Sequence, residues 1–142
     1  DRTISKTYGK LYNWKAAAKN ICPDNWHVPT NEEWKILIDF VGGTDVSGNK
    51  LKEIGQEHWF TPNEDYSSDE FGFSARGNGS RFANSQTFQS DGIKRAASFW
   101  TSTQDNNDIE KAISYVMSFS NNTTIQRIRN KNDGYGIRCI KN

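Results

Sequence analysis

The chain has 142 residues, which fits one domain with a core of its own. It is polar, with a mean hydropathy of −0.86 and 34% apolar residues, yet 13% are aromatic and five are Trp. A net charge of +1 gives no general attraction to nucleic acid or to a membrane surface, and no apolar run approaches the ~20 residues that span a bilayer. Rings in this number exclude a disordered chain and suit a loop-rich fold with an aromatic core.

In chain order, Leu11–Asn20 with its three consecutive alanines reads as a first, short helix. A second follows His27-Val28-Pro29. Thr30 is placed to cap it, Glu33 completes a capping box, and Trp34, Leu37, Ile38 and Val41 recur at helical spacing. Gly42-Gly43 ends it. Residues 44–98 hold short apolar groups among Gly, Asn, Ser and Asp, too long a stretch for structureless connection, so ordered loop structure is expected there. Ile113, Tyr115, Met117 and Phe119 then alternate with polar residues, marking a strand with one buried face. Asn121-Asn122 suits a hairpin turn into Thr123–Asn130, and Asp133-Gly134 another into Tyr135–Ile140. Helices first and an antiparallel meander last make an α+β domain, two helices packed on small antiparallel sheets with a long ordered loop region. The two cysteines, Cys22 and Cys139, lie near opposite ends. In an oxidising compartment one bridge would close almost the whole domain, and the alternative is two separate buried thiols.

Several segments carry a resemblance to a known family. They are Tyr8-Gly9-Lys10-Leu11-Tyr12-Asn13-Trp14, Ile21-Cys22-Pro23-Asp24-Asn25-Trp26-His27-Val28-Pro29-Thr30-Asn31-Glu32-Glu33-Trp34 with Gly42-Gly43, Lys50-Leu51-Lys52 and the Trp59 region. Phe71-Gly72-Phe73-Ser74-Ala75, Phe99-Trp100-Thr101-Ser102-Thr103 and Gly134-Tyr135-Gly136-Ile137-Arg138-Cys139-Ile140 complete the set. The order is kept over nearly the whole chain, and together these segments resemble the Fibrobacter succinogenes major paralogous domain family. The resemblance implies a secreted or surface bacterial protein with a C-type-lectin-like fold, related in architecture to formylglycine-generating enzymes. It also implies a disulfide from the first helix to the last strand, Cys22 with Cys139. Trp14, Trp26, Trp34 and Trp100 fall in these segments and are expected in the core. Only Asp1–Thr7 precede the first motif, whereas the family usually carries a further N-terminal segment with a strand beside the last one. The domain is therefore expected to lack that strand, or to replace it with those few residues. A missing neighbour leaves a sheet edge open to pairing.

Chemistry is sparse. His27 and His58 with two cysteines lack the close ligand pairs of a zinc site, so no metal or cofactor is expected. Glu32-Glu33 are explained by the helix dipole, the acidic pairs 64–65 and 69–70 by solvation, and no nucleophile elbow occurs. The copper-binding cysteine pair of the formylglycine-generating enzymes has no counterpart once Cys22 and Cys139 are structural, so no enzyme is expected. Sugar-binding C-type lectins carry Glu-Pro-Asn or Gln-Pro-Asp, with Trp-Asn-Asp further on. Here Thr61-Pro62-Asn63 stands instead. Asp105-Asn106-Asn107-Asp108 with Glu110 could hold calcium but reads better as an Asn/Asp turn.

A surface remains. Asn78–Arg95 and Ser118–Lys131 lie outside the scaffold motifs, and Arg127, Arg129 and Lys131 recur at period two. Arg81, Phe88, Arg95, Arg127 and Arg129 are the expected ligand contacts, because arginines and rings dominate binding hot spots. The chain is thus expected to be a non-catalytic extracytoplasmic recognition domain for a protein or glycan, monomeric as an isolated domain and without nucleic-acid partners or direct membrane insertion. The alternatives are an assembly module of a bacterial surface protein or appendage, and a degenerate relative of the formylglycine-generating enzymes.

Overall fold

The computed structural model describes residues 2–84 and 91–142. Helices α1 (Arg2–Tyr8), α2 (Trp14–Ala18), α3 (Asn31–Phe40) and α4 (Thr44–Leu51) fill the first third, with a short strand β1 (Trp26–His27) between the second and third. After a 3₁₀ turn at Asn63–Tyr66 come β2 (Asn78–Ser80), β3 (Asp91–Ile93), β4 (Ala96–Gln104), β5 (Lys111–Ser118), β6 (Thr124–Asn130) and β7 (Ile140–Lys141). One sheet runs β3-β2-β4-β5-β6, and a small second sheet pairs β1 with β7. Among the strand pairs of the described residues, only β2–β4 is parallel. The domain is mixed α+β.

Helix α3 forms where the capping box places it. Thr30 Oγ1 accepts the Glu33 N–H, and Glu33 Oε1 accepts the Thr30 N–H, so two of the four orphan N-terminal donors are satisfied reciprocally. Its Trp34, Ile38 and Val41 are buried. The Trp34 ring stacks on Tyr115 at 5.1 Å and on Phe99 at 5.8 Å, and meets Phe73 edge-on. Helix α2 is shorter than the expected Leu11–Asn20. Tyr12 is held extended by two backbone hydrogen bonds to Tyr135, and Asn13 then caps the helix through the Ala16 N–H.

The sheet is covered on both faces. Ala97, Phe99, Tyr115 and Met117 join α3 in one cluster, while Trp100 and Ala112 pack with Ala17, Val28 and Tyr135 in a second. The alternation expected for Ile113 to Phe119 marks the first face, but Ala112 and Ser114 are buried too. On the face that α3 covers, Asn31 Oδ1 accepts both the Tyr115 hydroxyl and the Gln126 side-chain amide.

Four expectations are corrected. Residues 2–8 are helical with none buried, so of the two alternatives for the segment before the first motif the short substitute strand does not form. Thr44–Leu51, placed in the loop region for its poor helix formers, is helical because Gly48 lies flat against the Asn122–Thr123 turn, where a Cβ would strike backbone, and Asn49 N–H bonds Asn122 O. Tyr135–Ile140 does not fold back on β6. Gly134 pairs with Arg81, Tyr135 with Tyr12 and Gly136 with Phe99, as the Tyr135 ring packs against Trp100 at 4.6 Å. Finally, Trp26 is 40% exposed, since its two-residue strand pairs only with β7 and no layer covers it. Trp14 is half-buried, and Trp34 and Trp100 are buried as expected.

Cys22 and Cys139 are bonded across 117 residues of chain. Alkylation of unreduced, denatured protein should therefore add nothing to its mass. Reduction should cost ~2–5 kcal/mol of unfolding free energy, and two modified thiols without reduction would contradict the bond. Trp34→Ala should cost ~3–5 kcal/mol in urea unfolding, and a loss below ~1 kcal/mol would show that its stacking partners close the gap.

Lys52 is wholly buried. Its Nζ donates to Ser118 O at 2.6 Å and Asn121 O at 2.8 Å and lies 5.5 Å from the Trp59 ring centre. Burial lowers its pKa from 10.5 to about 8. Between those values the unfolded chain binds more protons, so stability should rise with pH, and the cost is fully present below pH 8. Unfolding free energies of the wild type minus those of Lys52→Met should grow by up to ~3 kcal/mol from pH 7 to 10.5. A flat difference would show that the ammonium is not desolvated.

Candidate ligand-binding cleft

The expected contacts do not form one site. Arg127 and Arg129 share a face of β6, opposite the face from which Gln126 reaches α3. Arg129 lines a shallow hollow of about 250 Å³ with Phe82, Asn84 and Asp133, and Arg81 lies beside it through its backbone pair with Gly134. Arg95 is elsewhere. It sits next to Ala96, which pairs with Ser118, whereas Arg129 pairs with Ala112. Six strand residues at ~3.3 Å each put the two arginines on the order of 20 Å apart. The Arg95 guanidinium lies 5.5 Å from the Phe60 ring centre. Phe88 lies outside the described residues. Lys131 does not extend the row, because β6 ends at Asn130 and Lys131 Nζ turns onto the Trp14 ring at 4.3 Å and donates to Gln104.

The acidic stretch is a turn. Asp105 Oδ2 accepts the Asn107 and Asp108 N–H groups, Asp108 Oδ1 accepts that of Glu110, and Asp108 Oδ2 meets Lys111 Nζ at 3.0 Å. The two cysteines are bonded to each other. His27 bridges Asn142 Oδ1 and the Glu33 carboxylate, hydrogen bonds that raise its pKa. His58 is buried, with Nδ1 2.5 Å from Glu53 Oε2.

A larger cleft of about 520 Å³ opens beside β2 and β4, between the Tyr8–Tyr12 segment and Gly136–Arg138. Each wall residue has a reason for its place. Gly9 leaves α1 with φ +82°, a backbone that favours glycine, and the Tyr12–Tyr135 pairing fixes the far end of that segment. Asn78, buried at the base, exchanges two hydrogen bonds with the Ser98 backbone. Gly136 lies against it where any Cβ would collide with the Asn78 amide.

Three cations line the cleft: Lys10, Arg76 and Arg138. Arg76 Nε bonds Glu53 Oε1 at 2.9 Å, and its Nη1 bonds Thr7 O at 3.0 Å. Arg138 donates to Phe73 O and lies 4.4 Å over the Phe73 ring. The nearby carboxylates are engaged, Glu53 by Arg76 and His58, and Asp69 by the Ser74 N–H and hydroxyl. Tyr8 stands edge-on to His58 at 5.5 Å. Desolvation, then Glu53, raises its pKa, so it offers a neutral hydroxyl. Cations, tyrosine hydroxyls and an amide around one concavity can bind an anionic or polyhydroxylated group.

Sequence reasoning singled out none of these three cations as contacts. Lys10 and Arg138 stood in segments read for family resemblance, and no spacing rule joins positions 10, 76 and 138. A family description, Fibrobacter succinogenes major domain, matches residues 1–141. No curated protein and no solved structure matches the chain. The chain belongs to the Fibrobacter succinogenes major domain family.

Proposed function

We propose that this chain is a non-catalytic recognition domain on a C-type-lectin-like scaffold, monomeric and outside the cytoplasm, which takes a protein or glycan ligand into the cleft between Tyr8–Tyr12 and Arg138. The observation that carries this reading is the cleft itself, where Lys10, Arg76 and Arg138 converge beside Tyr8, Tyr12 and Asn78. The Cys22–Cys139 bond supports an oxidising compartment. The occupation of both histidines in structural contacts, His27 between two chain segments and His58 beneath Tyr8, supports a role without acid–base chemistry. A second reading places the ligand on Arg81, Arg127 and Arg129, favoured by the hollow beside Arg129.

Glycan and peptide arrays probed with the wild type, Lys10→Ala/Arg76→Ala and Arg127→Ala/Arg129→Ala separate the two. The first double variant should lose its hits by ~10-fold or more while its Tm stays within a few degrees, because an exposed ion pair contributes only ~0–1 kcal/mol. Loss in the second variant alone would move the site to β6. Full binding by both would exclude both surfaces.

A further inference from the structure

A third concavity, of about 440 Å³, lies where α3, α4 and β6 meet, and it shares no residue with the cleft or with the hollow beside Arg129. Ile38 and Asp39 border it from α3, Thr44 from the first turn of α4, and Thr124, Ile125 and Gln126 from β6. Its volume falls in the ~300–1,000 Å³ range of small-molecule sites, and its wall mixes apolar and polar groups as theirs do. Two of the polar groups stand there at a cost to the fold. Thr124 is 1% exposed, and among the described residues its hydroxyl has no hydrogen-bond partner. A buried hydroxyl without a partner forfeits its bonds to water, and valine would fill the same space in a strand without that loss. Asp39 lies in the last turn of α3, where the helix dipole disfavours a carboxylate. No basic residue shares that turn, and among the described residues no ion pair or hydrogen bond engages the Asp39 side chain.

The other groups of the wall define what fits. Gln126 donates through Nε2 to Asn31 Oδ1, which leaves its Oε1 to accept from a ligand. Lys35, at the rim, is paired with Glu32 at 2.9 Å. Tyr115 also borders the cavity, its hydroxyl spent on Asn31. Burial, then Glu32 and Asp39, pushes that hydroxyl up to about 12, so it stays neutral. Two carboxylates against one ammonium repel an anion. Because Tyr115 is buried, no ring face is open for a nucleobase to stack on. What remains is a row of acceptors and hydroxyls beside Ile38 and Ile125, which suits an uncharged ligand with many hydroxyls and one apolar face.

We propose that the cavity between α3, α4 and β6 binds one uncharged pyranose ring, free or at the end of a glycan. The sugar hydroxyls donate to the Asp39 carboxylate and to Gln126 Oε1. They also bond the hydroxyls of Thr44 and Thr124, the latter turned to the cavity by one χ1 step. The C–H face of the ring rests on Ile38 and Ile125. This site is separate from the cationic cleft and does not depend on the reading given to that cleft.

The test titrates the methyl α-glycosides of glucose, galactose and mannose into the isotope-labelled 142-residue chain. Additions up to ~50 mM read the millimolar affinity of a ligand held by a few hydrogen bonds. At least one glycoside should shift the backbone amides of Thr44, Thr124 and Gln126. Asp39→Ala should weaken its binding ~10-fold and Thr124→Val severalfold. Without sugar, the Tm of each variant should stay level or rise, and that opposition separates a ligand group from a structural one. Three results overturn the proposal. The first is no shift with any of the three glycosides. The second is unchanged affinity in either variant, where a lowered Tm of Thr124→Val would assign its hydroxyl to an ordered water. The third is amide shifts only at Tyr12 and Gly136–Arg138, which would move the sugar to the cationic cleft and leave the reading of that cleft intact.

Discussion

From Gly134 to Lys141 the chain is bound to almost every other part of the molecule, and the fold depends on that closure. Within eight residues it pairs with Arg81, with Tyr12, with β4 and with β1, and it is joined covalently to Cys22. The Tyr135 side chain anchors it by packing on Trp100, whose indole N–H in turn donates to Tyr12 O at 2.8 Å. Remove this strap and α2, the second core cluster and the small sheet would lose their common partner. The disulfide acts in the same place. It restrains the unfolded chain at the point where the folded one needs its ends together.

The interior pairs large rings with a few satisfied polar groups. Trp34, Phe99, Tyr115 and Phe73 form one aromatic stack against α3, and Asn31 ties that helix to two strands through a single oxygen. Such networks stabilise a core only when every member is bonded, and they also fix its register. Lys52 is the counterexample, a buried ammonium held by two carbonyl oxygens and, among the described residues, by no carboxylate. Its cost is borne to anchor Ser118 and Asn121, beside the Asn122–Thr123 backbone against which α4 leans by way of Gly48.

The cleft is built from groups already held in place. Glu53 orients Arg76 while bonding His58, and Phe73 carries Arg138 both on its ring and at its carbonyl. Side chains fixed before binding lose less conformational freedom when a ligand arrives. Glu53 compensates part of the Arg76 charge, whereas among the described residues no ion pair holds Lys10 or Arg138, so an incoming anion meets their positive charge without displacing a carboxylate.

The elements legible before folding are those that short-range chemistry specifies. Thr30 and Glu33 close a capping box whatever surrounds them, the spacing from Trp34 to Val41 defines a buried helix face, and the period-two rows around Tyr115 and Arg127 define two strands. The family resemblance added the cysteine pairing and the family to which the chain belongs. Tertiary structure alone decided the rest. Thr44–Leu51 is helical because a turn more than seventy residues away accepts Gly48, against its own propensities, and Trp26 is exposed because no layer covers its strand. Tyr135–Ile140 leaves β6 because the Tyr135 ring has a better place against Trp100 than solvent beside an edge strand. The cleft was illegible for the same reason. Lys10, Arg76 and Arg138 share no periodicity, and only the closing of the chain on itself brings the three charges together.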